Sequence, residues 1–242
     1  MTISIVIPAF NEEKLLANTL RTVRQCADVF EQVDWHWEIV VCDNNSTDST
    51  AQIATQAGAR VTFEPVNQIA RARNAGAAAT SGDWFLFIDA DTLPSHRLFT
   101  RIRNLIRGGG HLAAGANIRF HTDVLWAQGF TCYWNWISRT FHWAAGSFIA
   151  VESAAFREVG GFNNDLFVSE EIDLSIRLNR LARSRGLEPL AVVTDPLIDT
   201  SGRKLDLYST WEHTRFMLKG LTRGTALFQS PEHCHIWYDG RR

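Results

Sequence analysis

Three short, nearly uninterrupted apolar runs constrain the fold of this chain more than anything else in it: Ile3 to Ile7, Glu38 to Cys42 and Trp84 to Ile88. Each reads as a strand buried on both faces, and each runs straight into a polar or proline-closed turn. Segments of helical character lie between them. Glu12 to Ala27 places Leu16, Leu20, Val23 and Ala27 on one face, a helix is expected from about Asp48 to Gln56, and an Ala-rich helix spans about Gln68 to Ala79 before Ser81-Gly82. A short strand, Ala59 to Phe63, fits between the last two. Apolar strands alternating with helices predict an α/β fold with a Rossmann-like, mostly parallel sheet flanked by helices. Ligands of such sheets bind beyond the carboxyl ends of the strands. The residues to weigh are therefore Asn11 and Glu12, Asp43 to Asn45, and Asp89 and Asp91, which follow the three strands as one rim.

The second half is less regular. A strand is expected from Leu112 to Phe120 after Gly108-Gly109-Gly110, another from Ser147 to Val151, a short helix near Ala154 to Val159, a helix from Glu170 to Ser184 and one from about Leu207 to Lys219. No repeat, low-complexity tract or linker divides the chain, so it reads as a single domain in two halves, about 1–110 and about 111–242.

Composition narrows the function classes. At 242 residues with 45% hydrophobic and 21% charged side chains, the chain can bury a core without disulfides and is not disordered. A net charge of −2 argues against a nucleic-acid partner. Cys26, Cys42, Cys132 and Cys234 are dispersed, which predicts reduced thiols in a cytoplasmic protein. His233-Cys234-His235 could suggest a metal, but adjacent residues cannot all turn to one ion, and a polar tail is the simpler reading. Neither a signal peptide nor a transmembrane helix is expected. The anomaly is the aromatic segment 125–148, with Trp126, Phe130, Tyr133, Trp134, Trp136, Phe141 and Trp143. It could line the core or a substrate groove, or make a peripheral contact with the inner face of a membrane.

Asp89-Ala90-Asp91 is the strongest chemical feature. Two carboxylates at the end of a buried strand repel each other unless a cation lies between them, and hard oxygen ligands suit Mg²⁺ or Mn²⁺. Such an ion would neutralise a diphosphate leaving group; otherwise the pair are solvated turn residues. Arg71 and Arg73, with Asn74 and Gly76, offer an arginine fork for phosphate, or an exposed helix face. Asp43 could accept from a base N–H, which would favour uracil over cytosine, or could simply shape a turn. Ser169 is a candidate N-cap for the helix carrying Glu170 and Glu171. Helical spacing aligns Glu171 with Leu174 and Leu178 on the inward face and puts Glu170, Asp173 and Arg177 on another. Acids favour any helix N-terminus, but a glutamate on the inward stripe is what a general base over a pocket looks like.

Taken in order, Pro8-Ala9-Phe10-Asn11-Glu12, the Asp43 turn, Arg73-Asn74-x-Gly76, Asp89-x-Asp91, Gly160-Gly161-Phe162 and Glu170-Glu171-x-Asp173-Leu174 resemble the family 2 glycosyltransferases with the GT-A fold, over about residues 2–185. The resemblance implies transfer of a sugar from a nucleotide-diphospho-sugar, UDP-linked by preference, to an acceptor hydroxyl with inversion at the anomeric carbon. It implies that the first half takes the nucleotide sugar and the second the acceptor, a sugar, lipid or small molecule. By matching position, Pro8, Asn11, Glu12, Asp43, Arg73 and Asn74 would line the nucleoside site, Asp89 would approach ribose and metal, and Asp91 would coordinate the metal. The family usually has Glu-Asp where this chain has Glu170-Glu171, so the base would be Glu171, one methylene longer, with Glu170 beside it. Arg203, in Ser201-Gly202-Arg203-Lys204, could close over the diphosphate, and His213 could be a further metal ligand. A retaining transferase, a sugar-phosphate nucleotidyltransferase and a non-catalytic nucleotide-sugar binder are the alternatives, the second disfavoured by Pro8-Ala9-Phe10-Asn11 in place of a Gly-rich, Arg-containing loop.

Overall fold

The computed structural model of the chain describes residues 1–120 and 125–200. Among the described residues eight strands form one sheet: β1 (Thr2–Ala9), β2 (His36–Asp43), β3 (Arg60–Phe63), β4 (Trp84–Ile88), β5 (Thr92–Leu93), β6 (Ala113–Phe120), β7 (Phe148–Glu152) and β8 (Ala191–Thr200). Their order is β3-β2-β1-β4-β7-β6-β8-β5. The four strands β3, β2, β1 and β4 run parallel. Antiparallel β7 then separates them from the parallel pair β6 and β8, and β5 closes the edge antiparallel to β8. The expected parallel sheet is thus the first half of a mixed one.

Seven helices cover it among the described residues: α1 (Leu16–Glu31), α2 (Thr50–Gln56), α3 (Ile69–Ala78), α4 (His96–Gly108), α5 (Leu125–Phe141), α6 (Ser153–Glu158) and α7 (Glu170–Ser184). Side chains alternate across each strand and feed two cores. Ile3, Ile5, Ile7, Leu86 and Ile88 meet α1 and α4 on one face, while Val6, Phe85 and Phe87 meet α3, α6 and α7 on the other. Covered on both faces, β4 is buried at every residue, which is why it reads as a continuous apolar run. On β1, α3 packs so closely that a Cβ on Gly76 would stand 2.4 Å from Val6 Cγ1, so only glycine permits this approach.

Several boundaries differ from expectation. The first helix begins at Leu16, not Glu12, because Asn11 takes a left-handed backbone with φ 52° and the chain turns there. Helix α4 was not expected, although Ser95 caps it by accepting from Leu98 N–H at 3.2 Å and Leu98, Phe99, Ile102 and Ile106 form its buried stripe. Strand β8 was also not expected, because Asp195, Pro196 and Asp199 interrupt its apolar pattern. The aromatic segment forms α5 as far as Phe141, with Tyr133, Trp136 and Phe141 exposed and Trp134 packed on the first core, and Trp143 follows the helix. No helix among the described residues is long and apolar enough to cross a membrane. The helix expected near Leu207 to Lys219 lies outside the described residues.

Candidate active site

The carboxyl ends of β1, β2 and β4 bring the rim residues together. Register pairs Pro8 with Cys42 and Ala9 with Asp43, so the turns after β1 and β2 start side by side. Asn11 bridges them: its backbone N–H donates to Ser46 Oγ at 3.0 Å, and its side-chain oxygen accepts from Thr47 N–H at 2.8 Å. Buried Glu12 donates its backbone N–H to Thr50 Oγ1 at 2.8 Å. Asp43, also buried, accepts from Ser46 N–H at 3.0 Å, so it does shape the turn.

Arg73 is the hub of the other side. It sits on α3 with its side chain 1% exposed, and the fork reaches three partners. Nη1 donates to Glu170 Oε1 at 2.6 Å, and Nη2 to Asp89 Oδ1 at 2.9 Å and to the Gly146 carbonyl at 2.8 Å. Its guanidinium also lies over the Phe162 ring, 5.2 Å from the centroid. Burial opposes its charge, but Asp89, Glu170 and Glu171 outweigh that and raise its pKa above the ordinary arginine value. Arg71, by contrast, is engaged locally, its Nε donating to Gln68 Oε1 at 3.0 Å.

The two glutamates divide differently than helical spacing suggests. Glu170 is 4% exposed and belongs to the buried stripe of α7 with Leu174 and Leu178, not to the face of Asp173 and Arg177. Arg73 is the reason: the ion pair carries the carboxylate inward. Burial raises the Glu170 pKa even so, with Arg73 opposing. Half-buried Glu171 stands beside the same cluster, since a methyl group on Gly146 would lie 3.2 Å from Arg73 Nη2 and 3.7 Å from Glu171 Cδ. Its pKa is pushed up to about 8, first by burial and then by the charge of Glu170. Ser169 occupies the N-cap position, but with φ 67° its side chain makes no cap hydrogen bond, contrary to expectation.

Asn74 and Gly161 of the sequence motifs, together with Gln68, which belongs to none, hold this arrangement. Asn74 donates to the Phe162 carbonyl at 2.8 Å and accepts from Phe162 N–H at 2.9 Å, clamping the loop before α7. Gly161, at φ 70°, passes so close that a Cβ there would meet Asn74 Oδ1 at 2.7 Å. Gln68 is buried and donates to the carbonyls of Asn164 and Leu166 at 2.7 and 2.9 Å. Its own backbone N–H donates to Asn44 Oδ1 at 2.9 Å. A chain of hydrogen bonds thus runs from the turn after β2 to the loop that presents Glu170 and Glu171.

Asp89 and Asp91, both half-buried, flank Ala90 after β4. Among the described residues no group of three or more His, Cys, Asp or Glu side chains could hold an ion by itself. The donor set fits a hard cation that takes one or two protein carboxylates and completes its shell with phosphate oxygens and water. Arg203 and His213 lie outside the described residues.

The family described as Glycosyl transferase family 2 matches residues 4–148, more than half of the chain. Glucosyl-3-phosphoglycerate synthase of Mycobacterium tuberculosis is 38% identical over 106 residues, covering 40% of this chain and 31% of that protein. The matched part therefore spans about a third of that relative's length. Among solved structures, S. aureus TarS 1-349 in complex with UDP-GlcNAc has a TM-score of 0.64 at 17% identity, over 83% of this chain and 58% of that one. The mannosyltransferase PcManGT from Pyrobaculum calidifontis, in complex with GDP-Man and Mn²⁺, has a TM-score of 0.66 at 16% identity, over 81% and 56%. At these identities the structural likenesses establish the fold.

Proposed function

The chain belongs to glycosyl transferase family 2, and from that premise we propose that it moves a sugar from a nucleotide-diphospho-sugar, UDP-linked by preference, to an acceptor hydroxyl with inversion. The observation that carries this reading is the convergence on Arg73: one buried guanidinium touches the first acid of Asp89-x-Asp91 and the first acid of Glu170-Glu171. The donor-side and acceptor-side acids are thereby held at a fixed separation, which is what an in-line displacement needs.

In this mechanism Pro8, Asn11, Glu12, Asp43 and Asn74 shape the nucleoside end. Arg73 acts as a strut and not as a phosphate fork, because its Nη atoms are occupied by protein. Asp91, with Asp89, would hold Mg²⁺ or Mn²⁺, which supplies charge neutralisation at the diphosphate. Glu171 takes the proton from the acceptor oxygen as that oxygen bonds to the anomeric carbon and the nucleoside diphosphate leaves. A carboxyl with a pKa of about 8 is a far stronger base than an ordinary glutamate, yet still ionises in part at neutral pH. Glu171 lies against Gly146, where a methyl group would crowd Arg73 Nη2 at 3.2 Å and make ordinary contact with Glu171 Cδ at 3.7 Å. Arg203 closing on the diphosphate, His213 as a further metal ligand, and a peripheral membrane contact through Tyr133, Trp136 and Phe141 of α5 extend the same reading.

The test is release of free nucleoside diphosphate by the full chain with Mn²⁺ and a panel of nucleotide sugars, for wild type, Asp91→Ala and Glu171→Gln. Release from one donor that is lost in both variants supports the reading, and the anomeric configuration of the product decides inversion. Binding of a donor without release, unchanged in Glu171→Gln under every acceptor tried, would instead make the protein a nucleotide-sugar binder.

A further inference from the structure

Buried polar residues within a packed helix need partners, and besides Glu170 α7 carries two of them. Ser175 and Asn179 are 1% and 5% exposed and lie among Leu174, Leu178 and Ala182. With Glu171 they are spaced four apart, which sets the three in one line along the helix.

That line faces residues 142–146, between α5 and β7, and the two run in opposite directions. Asn179 Nδ2 donates to the His142 carbonyl at 2.9 Å, and Ser175 Oγ accepts from Ala144 N–H at 3.1 Å. Glu171 Cδ lies 3.7 Å from where a Cβ on Gly146 would stand. Four residues of helix rise about 6 Å, a step that two residues of extended chain can match. The far end is anchored as well, since Asn179 Oδ1 accepts from Leu190 N–H at 2.7 Å. The near end carries the chemistry, because the Gly146 carbonyl accepts from Arg73 Nη2 at 2.8 Å.

The middle rung does more than pair a backbone group. Ser175 Oγ also donates to the Glu171 carbonyl at 2.7 Å, so one hydroxyl joins Ala144 N–H to the backbone of Glu171. A serine that returns its hydroxyl to the carbonyl four residues back slightly weakens its own helix, so the helix alone does not account for it. Ala144 is fully buried, and its Cα is only 3.0 Å from where a Cβ on Gly115 of β6 would stand. The hydroxyl thus ties Glu171 to a point packed closely on the sheet. None of these contacts reaches the turns after β1 and β2.

We infer that Ser175 is a positioning residue, whose hydroxyl holds Glu171 in place against Gly146 by joining it to Ala144. This role rests on the sugar-transfer reading and deepens it, adding a residue that acts through the base. Misplacing a reacting group by about 1 Å can cost on the order of a hundredfold in rate. A loosened tie should therefore show in kcat and not in nucleotide affinity.

The experiment follows nucleotide release by the full chain with Mn²⁺ and UDP-glucose, UDP-GlcNAc or GDP-mannose, with water or glycerol as acceptor. Tm and the affinity for the nucleotide of the donor turned over are measured alongside. Ser175→Ala should lower kcat about tenfold and leave donor KM and nucleotide affinity within about twofold. Ser175→Thr, whose hydroxyl can bond the same carbonyl, should restore most of the rate. Asn179→Ala is the control. It strips the partners of the His142 carbonyl and Leu190 N–H, so it should lower Tm more than Ser175→Ala while kcat stays within about threefold of wild type. A merely structural serine would reverse that order, with activity following Tm. Should Asn179→Ala not fold, the alanine and threonine variants at position 175 decide between them. Unchanged kcat in Ser175→Ala, a loss confined to nucleotide affinity, or rates that follow Tm across the set would each overturn the role. So would a threonine variant of wild-type Tm that is no faster than the alanine one. Any of these results in an active wild type leaves the sugar-transfer reading standing. A wild type that releases nucleotide from no donor would instead remove that reading, and the role with it.

Discussion

Arg73 and Glu170, 97 positions apart in sequence, form an ion pair at 2.6 Å with both side chains at most 5% exposed. The pair joins α3, which lies on the parallel half of the sheet, to the first turn of α7. Burying two charges is expensive, and the hydrogen bonds from Arg73 Nη2 to Asp89 and Gly146 offset part of the cost, while Nε stays buried without a hydrogen bond.

Removing one partner should therefore be worse than removing both. Arg73→Met leaves Glu170 buried without its cation and is expected to cost about 3–5 kcal/mol, of which Glu170→Gln in the same background recovers a part. Urea denaturation of the two single variants and the double variant measures this. Equal stability of wild type and Arg73→Met would show that the pair holds nothing in place.

Glu171 makes stability depend on pH. Its carboxyl is lifted from 4.5 to about 8, so the folded chain favours the protonated form. That contribution is fully present below about pH 4.5 and is lost as pH rises through about 8. Glu171→Gln mimics the protonated state, so it should match wild type near pH 4.5 and exceed it at pH 9, by about 1–3 kcal/mol after solvent screening. Thermal melts across this range are the check, and parallel curves would remove the raised pKa.

The α/β class, the parallel run of strands and the rim after them were legible because buried strands leave apolar runs and because Asn11, Asp43, Asp89 and Asp91 follow those runs directly. The mixed half of the sheet was not legible. Whether β7 runs antiparallel between β4 and β6 depends on long-range pairing that no local pattern records. Helical spacing alone puts Glu170 on the wrong face because it registers apolar stripes, and a charged residue joins such a stripe only when a distant arginine meets it. Gln68 and Gly146 have no motif at all, and their roles come from tertiary neighbours.

The same base governs the rate. With Glu171 as the proton acceptor, kcat/KM for sugar transfer should rise about tenfold per pH unit below about 8 and level off above it. Glu171→Gln should abolish this limb and lower kcat by about 10²–10⁴-fold. A variant that keeps the limb would place the base elsewhere.

Gln68 connects the two ends of the site. Its amide holds the carbonyls of Asn164 and Leu166, just before Glu170, while its backbone is tied to Asn44 beside Asp43. Gln68→Ala should loosen the approach to α7, lowering kcat about tenfold while nucleotide affinity stays within about twofold. Gln68→Glu, which loses both donors, should behave alike. Single-turnover nucleotide release and calorimetry with UDP separate the two effects, and a loss confined to nucleotide affinity would confine Gln68 to the donor end.

The metal should be felt only together with nucleotide. Asp89 and Asp91 offer two carboxylates, and no group of three ligating side chains occurs among the described residues, so a cation depends on phosphate oxygens to complete its shell. Mn²⁺ alone should barely move the Tm, UDP alone should raise it modestly, and the two together should raise it by more than the sum. Asp91→Ala should erase that excess, each Tm being compared with that of the bare variant. A large shift with Mn²⁺ alone would instead require a site closed by protein ligands, for which His213 would be the first residue to substitute.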